Sequence, residues 1–302
     1  MKKVFAVILH YRGKEFTRQC LLSLNKVKTK GFSLKTVVVD NHSPEPIDDL
    51  REKFFNEVFI KNKKNLGFAE GNNVGIRYAL KQGADYVILI NNDTQVSPEI
   101  IIQLIKAGED DSRAGILGPE IYFLPGFEFH KERYKKSDRG KVIWYAGGII
   151  DWRNVLVSHR GVDEVDKGQY DKKIETDFIS GCCMFIKKEV LEKIGLLDKK
   201  YFLYLEDSDF CQRAKKAGFK LVYVPKAKLW HANAGSSRVG GPLHDYYLTR
   251  NRMLFGMRYA SMRTKLALIR ESFKLCLSGR KWQKIGIKDF YLRRFGYGKI
   301  GK

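Results

Sequence analysis

Acidic residues are scarce in this chain of 302 residues: 34 Asp and Glu stand against 56 Lys and Arg, a formal net charge of +22. Such an excess predicts anionic partners, whether nucleic acid, a phospholipid surface or phosphorylated small molecules, and does not choose among them. No CxxC pair is present. The five cysteines (Cys20, Cys182, Cys183, Cys211, Cys276) are odd in number and include an adjacent pair, which argues against a zinc site and for reduced thiols in a cytoplasmic protein. No stretch approaches the ~20 apolar residues of a spanning helix, and the apolar start from Val4 to Leu9 is too short for a signal-peptide core. The expectation is a protein that neither crosses a membrane nor leaves the cell by an obvious signal. No internal repeat or low-complexity linker interrupts the chain. Its 44% hydrophobic content argues against intrinsic disorder and suffices for one large α/β core, with or without an appendage.

What is there begins with unbroken apolar runs. Val4 to Leu9 reads as a strand buried on both faces, the first of a parallel sheet; Lys35 to Asp40 and Tyr86 to Ile90 read the same way, with a short strand at Val58 to Ile60. Helical spacing appears in Glu15 to Asn25, Ile47 to Phe55, Glu70 to Lys81 and Pro98 to Ala107. Strands alternating with helices over about the first 120 residues predict a doubly wound, mainly parallel sheet. Ligands in such sheets sit beyond the carboxyl ends of the strands, where Asp40 and Asp93 fall. Between Leu117 and Phe178 the pattern loosens, as either an acceptor-facing insertion or an irregular surface excursion. Asp177 to Ile186 then reads as a strand, Lys188 to Ile194 and Asp209 to Ala217 as helices, and Lys220 to Val224 as a strand closed by Pro225.

Charge is concentrated at the end: Arg250 to Lys302 holds 15 Lys and Arg against Glu271 and Asp289 only. From Tyr246 to Ser278, Leu254, Met257, Leu266, Ile269, Phe273 and Leu277 alternate at helical spacing with Arg258, Lys265, Arg270 and Lys274. The reading is a domain over 1–245 followed by a basic amphipathic helical extension over 246–302. Apolar and cationic residues sharing one helix suit an anionic membrane surface, although the extension can equally pack on the core.

Several segments carry side chains able to do chemistry. Asn65 to Gly75 combines glycines with Asn72 and Asn73 at the mouth of a helix, where anions are favoured; a purely structural loop explains the pattern as well. Asn91, Asn92 and Asp93 end the most apolar strand, so Asp93 can either hold a divalent cation or start the next helix. Asp40 and Asn41 can line a crevice or simply make a turn. Glu206, Asp207 and Asp209 crowd into four positions after an aromatic run, where burial and mutual repulsion would raise a carboxyl toward the range of a useful base, or where they cap a helix. His231, after Trp230, is a ligand or a structural histidine.

Taken in order, Val37 to Asn41, Asn65 to Gly75, Asn91 to Asp93, Ser180 to Asp198, Phe202 to Pro225 and Trp230-His231 resemble the family-2 type inverting glycosyltransferases of GT-A fold, in particular the bacterial rhamnosyltransferase-like branch. The resemblance spans about Lys3 to Arg252. It implies transfer of a sugar from a nucleotide-diphosphate donor, dTDP- or UDP-linked and rhamnose among the sugars, to a glycan or lipid-linked acceptor in cell-surface polysaccharide synthesis. The expected place of work is the cytoplasmic face of a membrane. By the same resemblance Tyr11 and Asp40 flank the nucleotide base; Gly67, Asn72, Asn73, Asn91, Asn92 and Gly181 line the donor; and Asp93 with His231 holds Mg2+ or Mn2+. Asp207 is implied as the catalytic base, with Glu206 and Asp209 supporting it or the acceptor. Asn91 stands where many members carry the first acid of the metal motif, which predicts weak metal binding completed by the donor. A nucleic-acid-binding protein would share the charge but explains neither the acid cluster nor the carboxylates at strand ends. A nucleotidyltransferase leaves the Glu206 to Asp209 cluster and His231 idle, and an inactive sugar-binding relative would differ only in releasing no nucleoside diphosphate.

Overall fold

The computed structural model describes residues 1–233 and 240–300. The first apolar run becomes β1 (Lys2–His10), which is central because both its faces are buried. It runs parallel to β2 (Phe32–Asp40), which carries β3 (Val58–Lys61) on its outer side, and parallel to β4 (Tyr86–Asn91) on the other. The linking helices are α1 (Lys14–Leu24), α2 (Asp48–Lys53) and α3 (Gly67–Lys81). Gly71 and Gly75 let α3 lie close on the sheet: a Cβ at Gly75 would stand 2.3 Å from Val7, and one at Gly71 2.6 Å from Leu9. The glycines read as ligand-facing are in part a packing device.

The second half completes the sheet. β5 (Thr94–Val96) and α4 (Ile100–Glu109) lead to β6 (Ala114–Phe123); β11 (Cys183–Lys187) enters antiparallel between β4 and β6, and β12 (Lys220–His231) runs parallel to β6 at the far side. Here the structure departs from the sequence reading twice. β6 is buried along its whole length, yet Gly115, Gly118, Pro119 and Glu120 break its apolar run. Its glycines are needed because a Cβ at Gly118 would meet Ile179 at 2.6 Å. β12 does not end at Pro225; a register shift between Val224 and Lys228 absorbs the missing donor and the strand continues to His231.

The loosened segment is ordered. β7 (Ile143–Tyr145) joins β6, β8 (Gly148–Asp151) and β9 (Leu156–His159) form a hairpin, and β10 (Ile174–Glu175) edges β12. Tyr145 and Phe178 are buried in it. α5 (Lys188–Ile194) and α6 (Glu206–Lys216) follow β11, and α7 (Pro242–Tyr259), α8 (Met262–Ser278) and α9 (Lys281–Tyr291) close the chain. The boundary expected at 245/246 falls inside α7, whose Met253, Leu254 and Phe255 belong to the same hydrophobic cluster as β1 and β4. Arg250 is fully buried, so α7 is a core helix. α8 differs: Met262, Leu266, Phe273 and Leu277 are exposed, and at 100° per residue they fall within about 60° of arc, flanked by Arg263, Arg270 and Lys274. Among the described residues no helix is long and apolar enough to cross a membrane.

Candidate active site

The parallel strands deliver their carboxyl ends to one edge. His10 pairs in register with Asp40; its buried ring lies 2.8 Å from Thr17 Oγ1 and 3.0 Å from Ser43 Oγ, and burial lowers its pKa, so the imidazole is neutral. Asp40 accepts the Ser43 N–H at 2.7 Å, and Tyr11 follows half-buried with the Arg12 guanidinium over its ring. Asn41 proves to be a hub: its amide donates to Asn65 Oδ1 and the Gly67 carbonyl and accepts from Asn62 and the Leu66 N–H, tying β2 to the start of α3. Only its position beside Asp40 hinted at this.

Two expectations about the glycine-rich segment change. The first N–H groups of α3 do not await an anion, because those of Phe68 and Ala69 point at the Phe202 carbonyl, at 2.6 and 3.4 Å. Gly67, at φ 75° and with Phe202 against it, is there for that approach. Asn73, expected to line the donor, spends its amide on both the N–H and the C=O of Leu197, while Asn72 donates to Phe68 O within the helix. Both are buried; Asn73 ties α3 to Leu197, whereas the bond of Asn72 stays within the helix.

After β4 the chain turns through Asn91, Asn92 and Asp93. Asn92 donates to Arg12 O and Thr17 Oγ1, fixing the turn against the start of α1. Asp93 Oδ1 lies 3.1 Å from His231 Nε2, 138 positions away in sequence. The route is the extended β12: beyond its irregularity at Pro225, Leu229 to His231 pair with Thr94 to Val96. A carboxylate only accepts, so in this contact Nε2–H is the donor, and Nδ1 is buried without a partner among the described residues. Trp144 packs edge-on against His231 at 4.6 Å and against His159 at 4.2 Å; burial holds His159 down at about 4, hence uncharged at neutral pH. Among the described residues no third His, Cys, Asp or Glu joins Asp93 and His231 in a metal-binding group. The Asp93 carboxylate, with His231 Nε2 in the tautomer that carries its proton on Nδ1, fits a cation whose remaining ligands are diphosphate oxygens and water.

The three acids of α6 separate by helical phase. Two residues turn a helix by about 200°, so Asp207 and Asp209 face opposite ways. Asp209, expected to support the base or acceptor, is fully buried and bonds Arg213, Arg258, Tyr201 and Tyr259 at 2.7 to 3.1 Å; it is an internal anchor. Asp207 is partly exposed. Its Oδ2 accepts the Gly181 N–H at 2.9 Å and its Oδ1 the Ser208 N–H at 2.6 Å. Burial raises its pKa against the pull of these N–H groups. Glu206 is pushed well above the usual carboxyl range by burial first and by the Asp207 charge second, so it stays protonated beside an ionised neighbour. Of the two causes expected from sequence, burial outweighs repulsion.

Gly181 and Cys182 join the two halves of the edge. The Gly181 N–H holds Asp207, and the Cys182 carbonyl accepts the Asn91 N–H at 2.9 Å. Adjacent residues at the entry to β11 therefore tie the turn bearing Asp93 to the helix bearing Asp207. Room is reserved there, since a Cβ at Gly181 would stand 3.1 Å from Phe68 and 3.5 Å from Asp207. Cys20, Cys182, Cys183 and Cys211 are buried free thiols, and burial pushes Cys20 up to about 12, which makes it unreactive.

Known proteins resemble this chain in sequence and in fold. Over 261 residues the chain is 28% identical to dTDP-rhamnosyl transferase RfbF of Shigella flexneri, covering 83% of this chain and 79% of that protein. It is 32% identical over 155 residues to an N-acetylglucosaminyl-diphospho-decaprenol L-rhamnosyltransferase of Mycobacterium tuberculosis, covering 51% of this chain and 48% of that one. The solved structure of GalNAc-T7 with UDP, GalNAc and Mn2+ superposes with a TM-score of 0.61 at 16% identity, over 96% of this chain and 58% of that chain. At that identity the likeness shows the fold, which is the GT-A type. Residues 5–195 match the family described as Glycosyl transferase family 2, and the chain belongs to that family of glycosyltransferases.

Proposed function

We propose that this glycosyltransferase works by inversion, with Asp207 as the base that deprotonates an acceptor hydroxyl. The observation that carries the reading is the Gly181-Cys182 corner, which ties the Asp93 turn and Asp207 to one crevice edge. The acceptor O–H gives its proton to Asp207, the oxygen forms a bond to the anomeric carbon from the face opposite the leaving group, and the bond from that carbon to the diphosphate oxygen breaks. One displacement needs no covalent glycosyl-enzyme, so configuration inverts. Two N–H donors orient the Asp207 carboxylate while its burial keeps it basic, and neutral Glu206 adds no second charge. Asp93 and His231 would hold a divalent cation, Mg2+ or Mn2+, which when bound neutralises charge on the departing diphosphate.

The donor is proposed to be dTDP-rhamnose and the acceptor a glycan or lipid-linked saccharide in polysaccharide synthesis. Support comes from the relatives' names, a dTDP-rhamnosyl transferase and a rhamnosyltransferase acting on a decaprenol diphosphate. A lipid-linked acceptor brings the enzyme to the inner face of the cell membrane. The exposed apolar arc of α8, flanked by Arg263, Arg270 and Lys274, suits anionic headgroups there.

The test is Asp207→Asn. Turnover should fall about 10²- to 10⁴-fold with donor affinity near that of the wild type, and the wild-type product should carry the anomeric configuration opposite to the donor's. Wild-type turnover in the variant, or retained configuration, would overturn the reading.

A further inference from the structure

The segment that delivers Asp207 is bent in a way its residues resist. Phe202, Tyr204 and Leu205 have φ of 64°, 70° and 67°, and none is glycine. Side chains rarely occupy this left-handed region, and three such residues within four positions hold it only when their surroundings leave no alternative. Leu205 is the residue immediately before α6, so this bend sets where the first turn of the helix, with Glu206 and Asp207, begins.

What holds the bend comes from two places remote in sequence. On one side the Phe202 carbonyl takes the first N–H groups of α3. On the other, two adjacent residues in the middle of α7 reach the backbone. Arg250 Nη2 donates to the carbonyls of Lys200 and Tyr201, at 3.1 and 2.9 Å. The Asn251 amide lies 2.8, 2.7 and 2.9 Å from those of Tyr201, Leu203 and Tyr204. Every carbonyl from Lys200 to Tyr204 is thereby engaged, and both side chains are fully buried. Burying a guanidinium without a carboxylate on it is costly; Arg250 instead sits among carbonyls and the rings of Tyr246 and Tyr247, at 5.2 and 5.1 Å. An apolar residue would fill α7 at less expense, so the pair is retained for what it bonds.

We infer that Arg250 and Asn251 are positioning residues: from α7 they clamp the strained Tyr201–Leu205 backbone and so aim Asp207 at the acceptor hydroxyl. The inference rests on Asp207 being the base. It gives the first of the C-terminal helices a part in the reaction, and it separates Arg250 from the basic residues that face solvent. Among the described residues neither Arg250 nor Asn251 bonds Asp93 or His231, so donor binding is expected to stand apart from the clamp.

The test compares Asn251→Ala and Arg250→Lys with the wild type and with Asp207→Asn, using the whole chain, a nucleotide-sugar donor and a saccharide acceptor, with turnover scaled to folded protein by circular dichroism and denaturant titration. A misplacement near 1 Å is worth about 100-fold, so kcat should fall about 10- to 100-fold in Asn251→Ala, and less in Arg250→Lys, which keeps a charge and a donor. KM for the donor, and nucleoside diphosphate binding by calorimetry, should stay within about threefold. A purely structural role would lower the folded fraction and leave kcat per folded molecule unchanged, and that result would overturn the inference, as would loss of donor affinity in step with kcat. Should Asn251→Ala not fold, Arg250→Lys decides by the same two readings. Full activity in Asp207→Asn would remove the base itself, whereas an inactive Asp207→Asn beside a fully active clamp variant would overturn the clamp alone.

Discussion

Carboxylates in two regions of this basic protein are treated in opposite ways. Where α7 to α9 pack on α6 and the loop before it, forming a helical cap, carboxylates are met by arginines: Asp245 by Arg280 at 2.6 Å, Asp198 by Arg258 at 2.7 Å, and Asp209 by Arg213 and Arg258 together. At the crevice edge, Asp207 is held by backbone N–H groups, Asp93 faces a histidine, and Glu206 Oε2 is buried without a partner among the described residues. In a chain with 56 Lys and Arg, a shortage of cations does not explain this. Among the described residues no arginine pairs with Asp207 or Glu206, so a base at this edge stays basic.

The largest expected break in this contrast is Asp209→Asn. It leaves Arg213 and Arg258 facing a neutral amide inside the protein, and unfolding free energy in urea should fall by about 3 kcal/mol. A loss under about 0.5 kcal/mol would mean the cap is not held by its ion pairs. Next is His231→Ala: Mn2+ affinity, measured by calorimetry with a nucleoside diphosphate present, should drop about 10-fold or more, and unchanged affinity would take His231 out of the cation's reach.

Glu206→Gln should give a smaller, pH-dependent change. The folded pKa of Glu206 lies above its unfolded value, so the native state keeps a proton that the unfolded chain gives up. Wild-type stability therefore declines as pH rises from the ordinary carboxyl range through the raised value. The variant should lack this decline, gaining on the wild type as pH rises, and parallel urea midpoints from pH 4 to 8 would contradict it. The smallest effect belongs to Leu277→Asp on the exposed arc of α8. Each unit of charge near an anionic leaflet is worth about 1 kcal/mol, so sedimentation with phosphatidylglycerol vesicles should weaken about fivefold or more while turnover on a soluble acceptor holds. Equal sedimentation would move the membrane surface elsewhere.

How much of this could be read from the sequence depended on whether one element or several decide a residue's role. β1, β2 and β4 were legible because strands buried on both faces leave unbroken apolar runs. β6 was not, since Gly115 and Gly118, which admit Val190 and Ile179, and the neighbouring Pro119 and Glu120 imitate a loop. Pro225 reads as a stop, yet the irregularity around it lets β12 carry His231 to Asp93. Among the site residues, Asp93, Asp207 and His231 stood out through ordered motifs. Asp209 looked equivalent to Asp207 because linear proximity hides helical phase, and Asn73 looked like a donor contact because its latch on Leu197 spans 124 residues. Arg250 and Asn251 were lost inside a basic stretch, where composition does not distinguish a buried arginine from a solvated one. The same stretch holds α8, which does face outward.

The proposed reaction requires that one crevice join Asp93 and His231 to Asp207. A crystal structure with Mn2+ and a non-hydrolysable nucleotide-sugar tests it most directly. The pyrophosphate should lie beside Asp93 and His231, with the sugar's anomeric carbon open toward Asp207 on the side away from the phosphate. A donor bound with its sugar turned from Asp207, or seated away from Asp93 altogether, would contradict it.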